Sequence, residues 1–444
     1  MTLTTQVSVA PGGWPVLGHA LALLRRPLEF LVSLPEQGDL VEIRIGPQRM
    51  WVVCSPELAH HVLRNGRTYD KGGPLYDQIK TLMEAGLGTS PHGPHQRQRR
   101  LLQPAFTRNR LTVYATEMSR QIDAELATWR DGQVIDVLAA MNEITTRVTA
   151  RALFTTALSP QQSTDFLRSI TVIGEGIFLR MIMPAWFRRL PLPVNRRFNR
   201  ALSIVDLHTY EIISAYRREG VDHGDLLSMM MAARDEDGDA LSDTELRDQV
   251  LNVWGGGTET TANLLAWSLH LLAQHPHVAR RLQEEVDDVL DGRVASYDDV
   301  TRLDYTARVL NETLRLYPPG WIFTRMLTTE STLAGKTLPA GTTLIYSPYL
   351  IHRRSDLYPN PEHFDPDRWL PDNATTLPRG AYIPFGEGRR RCIGDNFAML
   401  EATIALATIA TRWHLRPLPG TTTQPRARIT LRPHPLRMRL HRRH

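Results

Sequence analysis

The stretch Phe385–Gly394, FGEGRRRCIG, sets one cysteine among three glycines and three arginines. A cysteine serving only as a small buried hydrophobe would have apolar neighbours, and a run of guanidinium groups would be costly beside it. The pattern implies an anionic or metallic group next to Cys392. Gly386 and Gly388 permit a tight turn and close backbone approach, and Gly394 lets a flat ligand lie against the start of the next helix, AMLEATIALATIATRW. A thiolate there is stabilised by free backbone N–H groups and by the positive end of the helix. Zinc would require further Cys or His at short spacing, and an iron–sulfur cluster usually wants four cysteines where this chain has two. A porphyrin brings four equatorial ligands of its own, needs one thiolate, and carries propionates that would explain the arginines.

The 444 residues, 42% of them hydrophobic, are enough to bury a sizeable core. The formal charge of +5 is carried almost wholly by arginine, since Lys71, Lys80 and Lys336 are the only lysines. Arginine suits paired, buried or anion-contacting roles. No basic stripe interleaved with aromatics points to nucleic acid. So few cysteines in so long a chain read as intracellular, with Cys54, in MWVVCSP, a buried strand residue. The N-terminus lacks the charged start and apolar core of a signal peptide, and no run of 18 apolar residues occurs, so a cytoplasmic protein without a membrane span is expected.

DLVEIRIG and QRMWVVCSP read as two strands turned at Gly46–Pro47, with further strands at TTLIYSPY, RARITLRP and PLRMRLH. The rest is mainly helical in period. ELAHHVLRNG, LTVYATEMSRQIDAELATWRDG and NRRFNRALSIVDLHTYEIISAYRREG are helices, and the longest starts after the capping residue Ser242 and stops at His275–Pro276. Three mid-helix glycines inside it, in GGGTETT, each cost roughly 1 kcal/mol relative to alanine and so ask for a reason. Without repeats, low-complexity segments or a linker, residues 1–444 form a single mainly α (α+β) domain.

Phe385-x-x-Gly388-x-Arg390-x-Cys392-x-Gly394 resembles, at every defining position, the cysteine-loop signature of the cytochrome P-450 family, the heme-thiolate monooxygenases. The resemblance implies that family's helix-rich fold with small β-sheets and heme b (iron protoporphyrin IX) between the long helix and the Cys loop. It makes Cys392 the iron ligand and His95, Arg99, Arg325, Phe385, Arg390 and Gly394 heme contacts, the arginines meeting the propionates. Glu312-Thr313-Leu314-Arg315 resembles the family's Glu-x-x-Arg helix, and Arg368, in PEHFDPDRW, completes a buried structural triad. The Gly256–Thr260 segment, GGTET, resembles the distal-face motif, in which a loosened turn leaves room for oxygen. There Thr260 would hydrogen-bond dioxygen or its relay water, and Glu259 would help deliver protons.

No dinucleotide motif is present, so electrons from NAD(P)H would arrive through a separate ferredoxin reductase and ferredoxin, for which Arg97, Arg100 and Arg389 are docking candidates. By the same resemblance, Leu75, Tyr76, Ile79, Met83, Phe178, Met181, Met183, Gly256, Trp321, Ile322 and Phe323 would line a pocket for a neutral hydrophobic substrate. RRLPLPVNRRFNRA, TLIYSPYLIHRR and FDPDRWLP resemble bacterial sesquiterpene oxygenases. That implies stepwise oxidation of an allylic methyl, on a sesquiterpene such as pentalenene, to alcohol and aldehyde in antibiotic biosynthesis. A fatty acid or macrolide substrate would need only other pocket side chains, and Cys392 alone would also suit a heme-thiolate sensor.

Overall fold

The computed structural model describes residues 7–154, 162, 165, 166, 168, 169, 172, 173, 176 and 190–443, so Phe178, Met181 and Met183 lie outside the described residues. The central helix, Asp243–Gln274, begins with a capping box in which Ser242 and Glu245 satisfy each other's backbone N–H groups. At 32 residues it far exceeds the usual helix, and its stability comes from packing on several sides. It lies against Val137–Leu153, Pro193–Glu219, Asp304–Leu316 and Asp395–Arg412. Those contacts bury Leu264, Leu265, Trp267 and Leu271. Asp395–Arg412 is buried all round from Leu400 to Thr411, which is why its sequence shows no polar face.

A six-stranded sheet positions the rest. In order its strands are Val7–Val9, Leu40–Ile45, Gln48–Val53, Thr343–Tyr346, Phe323–Leu327 and Tyr69–Asp70. The expected hairpin forms, Leu40 opposite Val53 and Ile45 opposite Gln48, around Gly46 at φ +57°. Arg325 pairs with Leu344, and Asp70 pairs with Met326. These two ladders bring residues 70 and 71 beside residue 325, a juxtaposition that local sequence does not encode.

RARITLRP, expected as one strand, is instead most of a hairpin, Gln424–Ala427 against Leu431–His434, with Arg428, Ile429 and Thr430 at its tip. Among the described residues no helix is long and apolar enough to cross a membrane.

Candidate functional site

The Cys loop is a turn held from beneath. Cys392 donates its backbone N–H to Phe385 O at 2.9 Å, and Gly386 donates to Ile383 O at 3.1 Å. Gly386 and Gly388 both take φ +69°, open mainly to glycine. The helix Pro56–Arg64 packs under the loop so closely that a Cβ on Gly388 would lie 2.7 Å from Leu63 O. Gly394 differs: a Cβ there would meet only Phe106, at 3.8 Å, so the protein tolerates a side chain and the glycine keeps the cavity side clear.

Cys392 is exposed into a cavity of about 470 Å³ and not at the outer surface. Burial pushes its thiol up, against the Gly394 N–H, Arg99 and Arg391, which favour the thiolate. The expected stabilisation by the helix start is therefore outweighed by desolvation, and a coordinated metal would have to complete deprotonation.

One wall of the cavity carries an excess of positive charge. Arg325 sits 3% exposed, donating to Tyr76 Oη at 3.1 Å and Tyr346 Oη at 3.4 Å, with no carboxylate among these partners. Arg390 pairs with Asp70 and donates to Ser90 O at 2.8 Å, while its Nε is buried without a partner. Lys71, which the sequence reading missed, donates Nζ to Gly88 O at 2.6 Å and Leu87 O at 3.3 Å. Asn252 and Gln249 of the central helix hold that same loop, accepting from Gly88 N at 2.7 Å and Leu87 N at 3.0 Å.

His95 is held at about 3, first by burial and then by Arg390 and Lys71, so it faces the cavity as a neutral imidazole. Arg99 donates to Arg391 O at 2.5 Å, supporting the Cys loop as well as lining the cavity. Asp70 is the sole carboxylate bonded to this cluster among the described residues, so the chain's own charge leaves it cationic. Two carboxylates of a flat ligand beside Cys392 would balance it, and the residues therefore fit a heme.

Burial, then Arg325 and Arg390, hold Lys71 well below the usual lysine range. A base depressed on folding carries fewer protons folded than unfolded, so stability rises with pH from the folded value up to the unfolded value near 10.5. Protein stripped of heme should accordingly show a melting temperature that climbs as pH rises toward 10.5. Lys71→Met should flatten the climb while weakening heme retention; an unchanged slope in differential scanning calorimetry would remove Lys71 from the account.

The central helix meets the same cavity at Gly255–Thr261. Helix continues without a break here, so the loosened turn expected at the glycines is absent. Two of the glycines answer to a neighbour instead: a Cβ at Gly257 would press to 3.2 Å on Thr149, and one at Gly255 would meet the flexible end of Met83 at 2.7 Å, while Gly256 faces open space. Thr260 donates Oγ1 back to Gly256 O at 2.5 Å, and Glu259 accepts from Thr430 of the C-terminal hairpin.

Behind the Cys loop the Glu312–Arg315 pair is fully buried and bidentate, with both bonds at 2.8 Å. Arg368 Nε lies 3.4 Å from Glu312 as an ion pair without a hydrogen bond, and Trp369 Nε1 and Asp365 N donate to that carboxylate. Arg315 reaches His352 O at 3.0 Å, and the His352 ring accepts from Ile383 N at 2.9 Å, so the ion pair is tied to the start of the Cys loop. Burial, with Arg315 adding to it, holds His352 at about 3 and keeps that nitrogen an acceptor.

Of the expected pocket residues, Tyr76, Ile79, Met83, Gly256 and Phe323 line the cavity, joined by Leu87, Val253 and Ile429. Trp321 and Ile322 do not line it: Trp321 packs in the sheet's core and donates Nε1 to Arg428 O at 2.8 Å. The side chain of Leu75 lies outside the described set. Two of the docking arginines are engaged within the chain, Arg97 with Asp235 at 2.5 Å and Glu245 at 2.7 Å, and Arg100 with Glu236. Arg389 is exposed.

A family model described as cytochrome P-450 matches residues 9–439. Cyclooctatin synthase of Streptomyces melanosporofaciens is 46% identical over 97% of this chain and 95% of its own. Pentalenene oxygenase of Streptomyces avermitilis is 45% identical over 98% and 97%, and cyclooctat-9-en-7-ol 5-monooxygenase of S. melanosporofaciens 43% over 93% and 90%. Among solved structures, the cytochrome P450DA heme domain superposes with a TM-score of 0.89 at 28% identity, covering 99% of this chain and 98% of that one.

Proposed function

Because the chain belongs to the cytochrome P-450 family, and is thus a monooxygenase using heme, dioxygen and electrons from redox partners, we propose that it oxidises a neutral polycyclic terpene. The observation that carries this reading is that Cys392, the Thr260 turn and an apolar wall of Ile79, Met83, Val253, Phe323 and Ile429 share one cavity. Such a wall holds a hydrocarbon by shape and offers little to a carboxylate or sugar. The relatives' names divide between pentalenene and cyclooctat-9-en-7-ol at nearly equal identity, which supports the terpene class over any single member. On pentalenene, successive oxidations of an allylic methyl would give the alcohol and then the aldehyde.

Heme b bound through Cys392 would supply dioxygen activation, with thiolate donation favouring O–O cleavage. The protein's own residues do the rest. Lys71, Arg325 and Arg390 would meet the propionates, and His95 would offer them a neutral N–H. Thr260 must release Gly256 O to donate toward the cavity. Glu259, half-buried and lining the same cavity, would pass protons toward Thr260. Electrons from NAD(P)H pass through a ferredoxin reductase and a ferredoxin, whose acidic face would meet Arg389.

Reduced protein under carbon monoxide should show a thiolate-type Soret band that Cys392→Ser abolishes, and survival of that band would overturn the ligand assignment. Titration with pentalenene and with a terpene alcohol should move the oxidised heme from low to high spin, and silence toward both would exclude the terpene class.

A further inference from the structure

Glu259 does not end in solvent; its carboxylate meets a hydroxyl from a distant part of the chain. Thr430, at the tip of the C-terminal hairpin and 7% exposed, donates Oγ1 to Glu259 Oε1. Asn263, one turn further along the central helix and fully buried, donates Nδ2 to the same Oγ1 at 3.0 Å. Chemistry dictates these directions. A carboxylate only accepts, so Thr430 spends its one proton on Glu259, and its oxygen must then accept from the amide of Asn263.

The hairpin tip that presents this hydroxyl is itself pinned. Trp267 Nε1 donates to Leu431 O at 3.2 Å, Leu431 N to Pro319 O at 3.0 Å, and Trp321 Nε1 to Arg428 O at 2.8 Å. Ile429, next to Thr430, lines the cavity together with Glu259 and Thr430.

We propose that Thr430 is a positioning residue for proton delivery by Glu259, with Asn263 orienting its hydroxyl; the inference rests on the monooxygenase reading above. A glutamate side chain left unanchored at a half-buried site spreads over several rotamers. Thr430 confines it, and does so in both protonation states, since a hydroxyl donates to the anion and can accept from the neutral acid. The balance of the reaction makes this measurable. With protons on time, dioxygen, two electrons and two protons yield one oxygen inserted into a C–H bond and one water. With protons late, the same two electrons and two protons leave as hydrogen peroxide.

The test compares Thr430→Val, Thr430→Ser and Asn263→Ala in heme-loaded protein driven by NAD(P)H through a surrogate ferredoxin system, with pentalenene as probe. Thr430→Val keeps shape and loses the hydroxyl. Its product per NAD(P)H should fall about tenfold, the low end of what a hydrogen bond to a charged group is worth, with peroxide rising to match. Melting temperature should fall by about a few degrees, because Asn263 Nδ2 is left buried without its acceptor, while the pentalenene spin shift should persist because Val keeps the shape. T430S should restore coupling, and N263A should lose part of it.

A readout independent of turnover is the infrared carboxylate band of Glu259, identified by its loss in Glu259→Gln; it should shift in T430V and return in T430S. Wild-type coupling and an unmoved band in T430V would overturn the proposal, as would a T430S variant as uncoupled as T430V. Wild-type protein with a thiolate spectrum that consumes no NAD(P)H would overturn the monooxygenase reading, and this proposal with it.

Discussion

Glu312→Ala should cost the protein about 3–5 kcal/mol, because it strands Arg315 as an unpaired charge at a site with no solvent exposure. That is a large share of a typical total stability of about 5–15 kcal/mol. The loss goes beyond the ion pair. Trp369 Nε1 and Asp365 N lose their acceptor, and Arg368 loses its only nearby carboxylate among the described residues.

Heme should leave before the chain unfolds, since Arg315 holds His352 O and the His352 ring holds Ile383 N, three residues before Gly386. Denaturation followed at the Soret band should therefore precede denaturation followed by far-ultraviolet dichroism, whereas wild type loses both together. Arg281→Ala, which breaks a half-exposed pair with Asp367, is the control and should cost about 1 kcal/mol or less. An equally mild effect of Glu312→Ala would refute the argument.

The Cys loop and the triad were legible in the sequence because their chemistry demands particular residue types at short spacing. Phe385 to Gly394 is one turn, and Glu312 and Arg315 share one helical face. Lys71 and Asp70 were not legible in this way. They reach the heme-facing wall because Tyr69–Asp70 pairs with Met326 and Leu327, a ladder between segments far apart in the chain. A sole hint existed, one of only three lysines in an arginine-rich chain, within Asp-Lys-Gly-Gly.

His352 and Thr430 were invisible for the same reason, each meeting its partner only across tertiary packing. Arg97 and Arg100 look like free surface cations in the sequence, yet Asp235, Glu236 and Glu245 fold over against them. Trp321 shows where the family resemblance misleads: it implies a pocket wall, but the ring packs in the sheet's core and its N–H is satisfied by the Arg428 carbonyl. The family resemblance implies a loosened turn at the glycine run of the central helix, whereas close packing on Thr149 and Met83 accounts for two of the three without any break.

The three glycines of the Cys loop should separate into an order that sequence alone cannot assign. Gly388→Ala faces both a left-handed backbone, at roughly 1–2 kcal/mol for a residue with a Cβ, and a contact of 2.7 Å with a backbone oxygen that cannot rotate away. Adding about 1–3 kcal/mol for the forced shift gives a cost of about 2–5 kcal/mol, and relief must come from displacing the loop off the helix Pro56–Arg64. That displacement moves Cys392, so the thiolate-type carbon monoxide band should weaken in step with stability.

Gly386→Ala shares the backbone angle but meets nothing within 4 Å, and should cost only the first part. Gly394→Ala has neither penalty, since its φ is −98° and Phe106 is at ordinary contact distance. The heme-free Gly394→Ala protein should therefore melt like wild type, while its affinity for heme should fall because the methyl enters the cavity. Equal losses at 386 and 388 would mean that backbone strain alone shapes the turn, and a comparable loss at 394 in heme-free protein would refute its assignment to the ligand side; the distinct behaviour of 394 is what ties that glycine to the ligand.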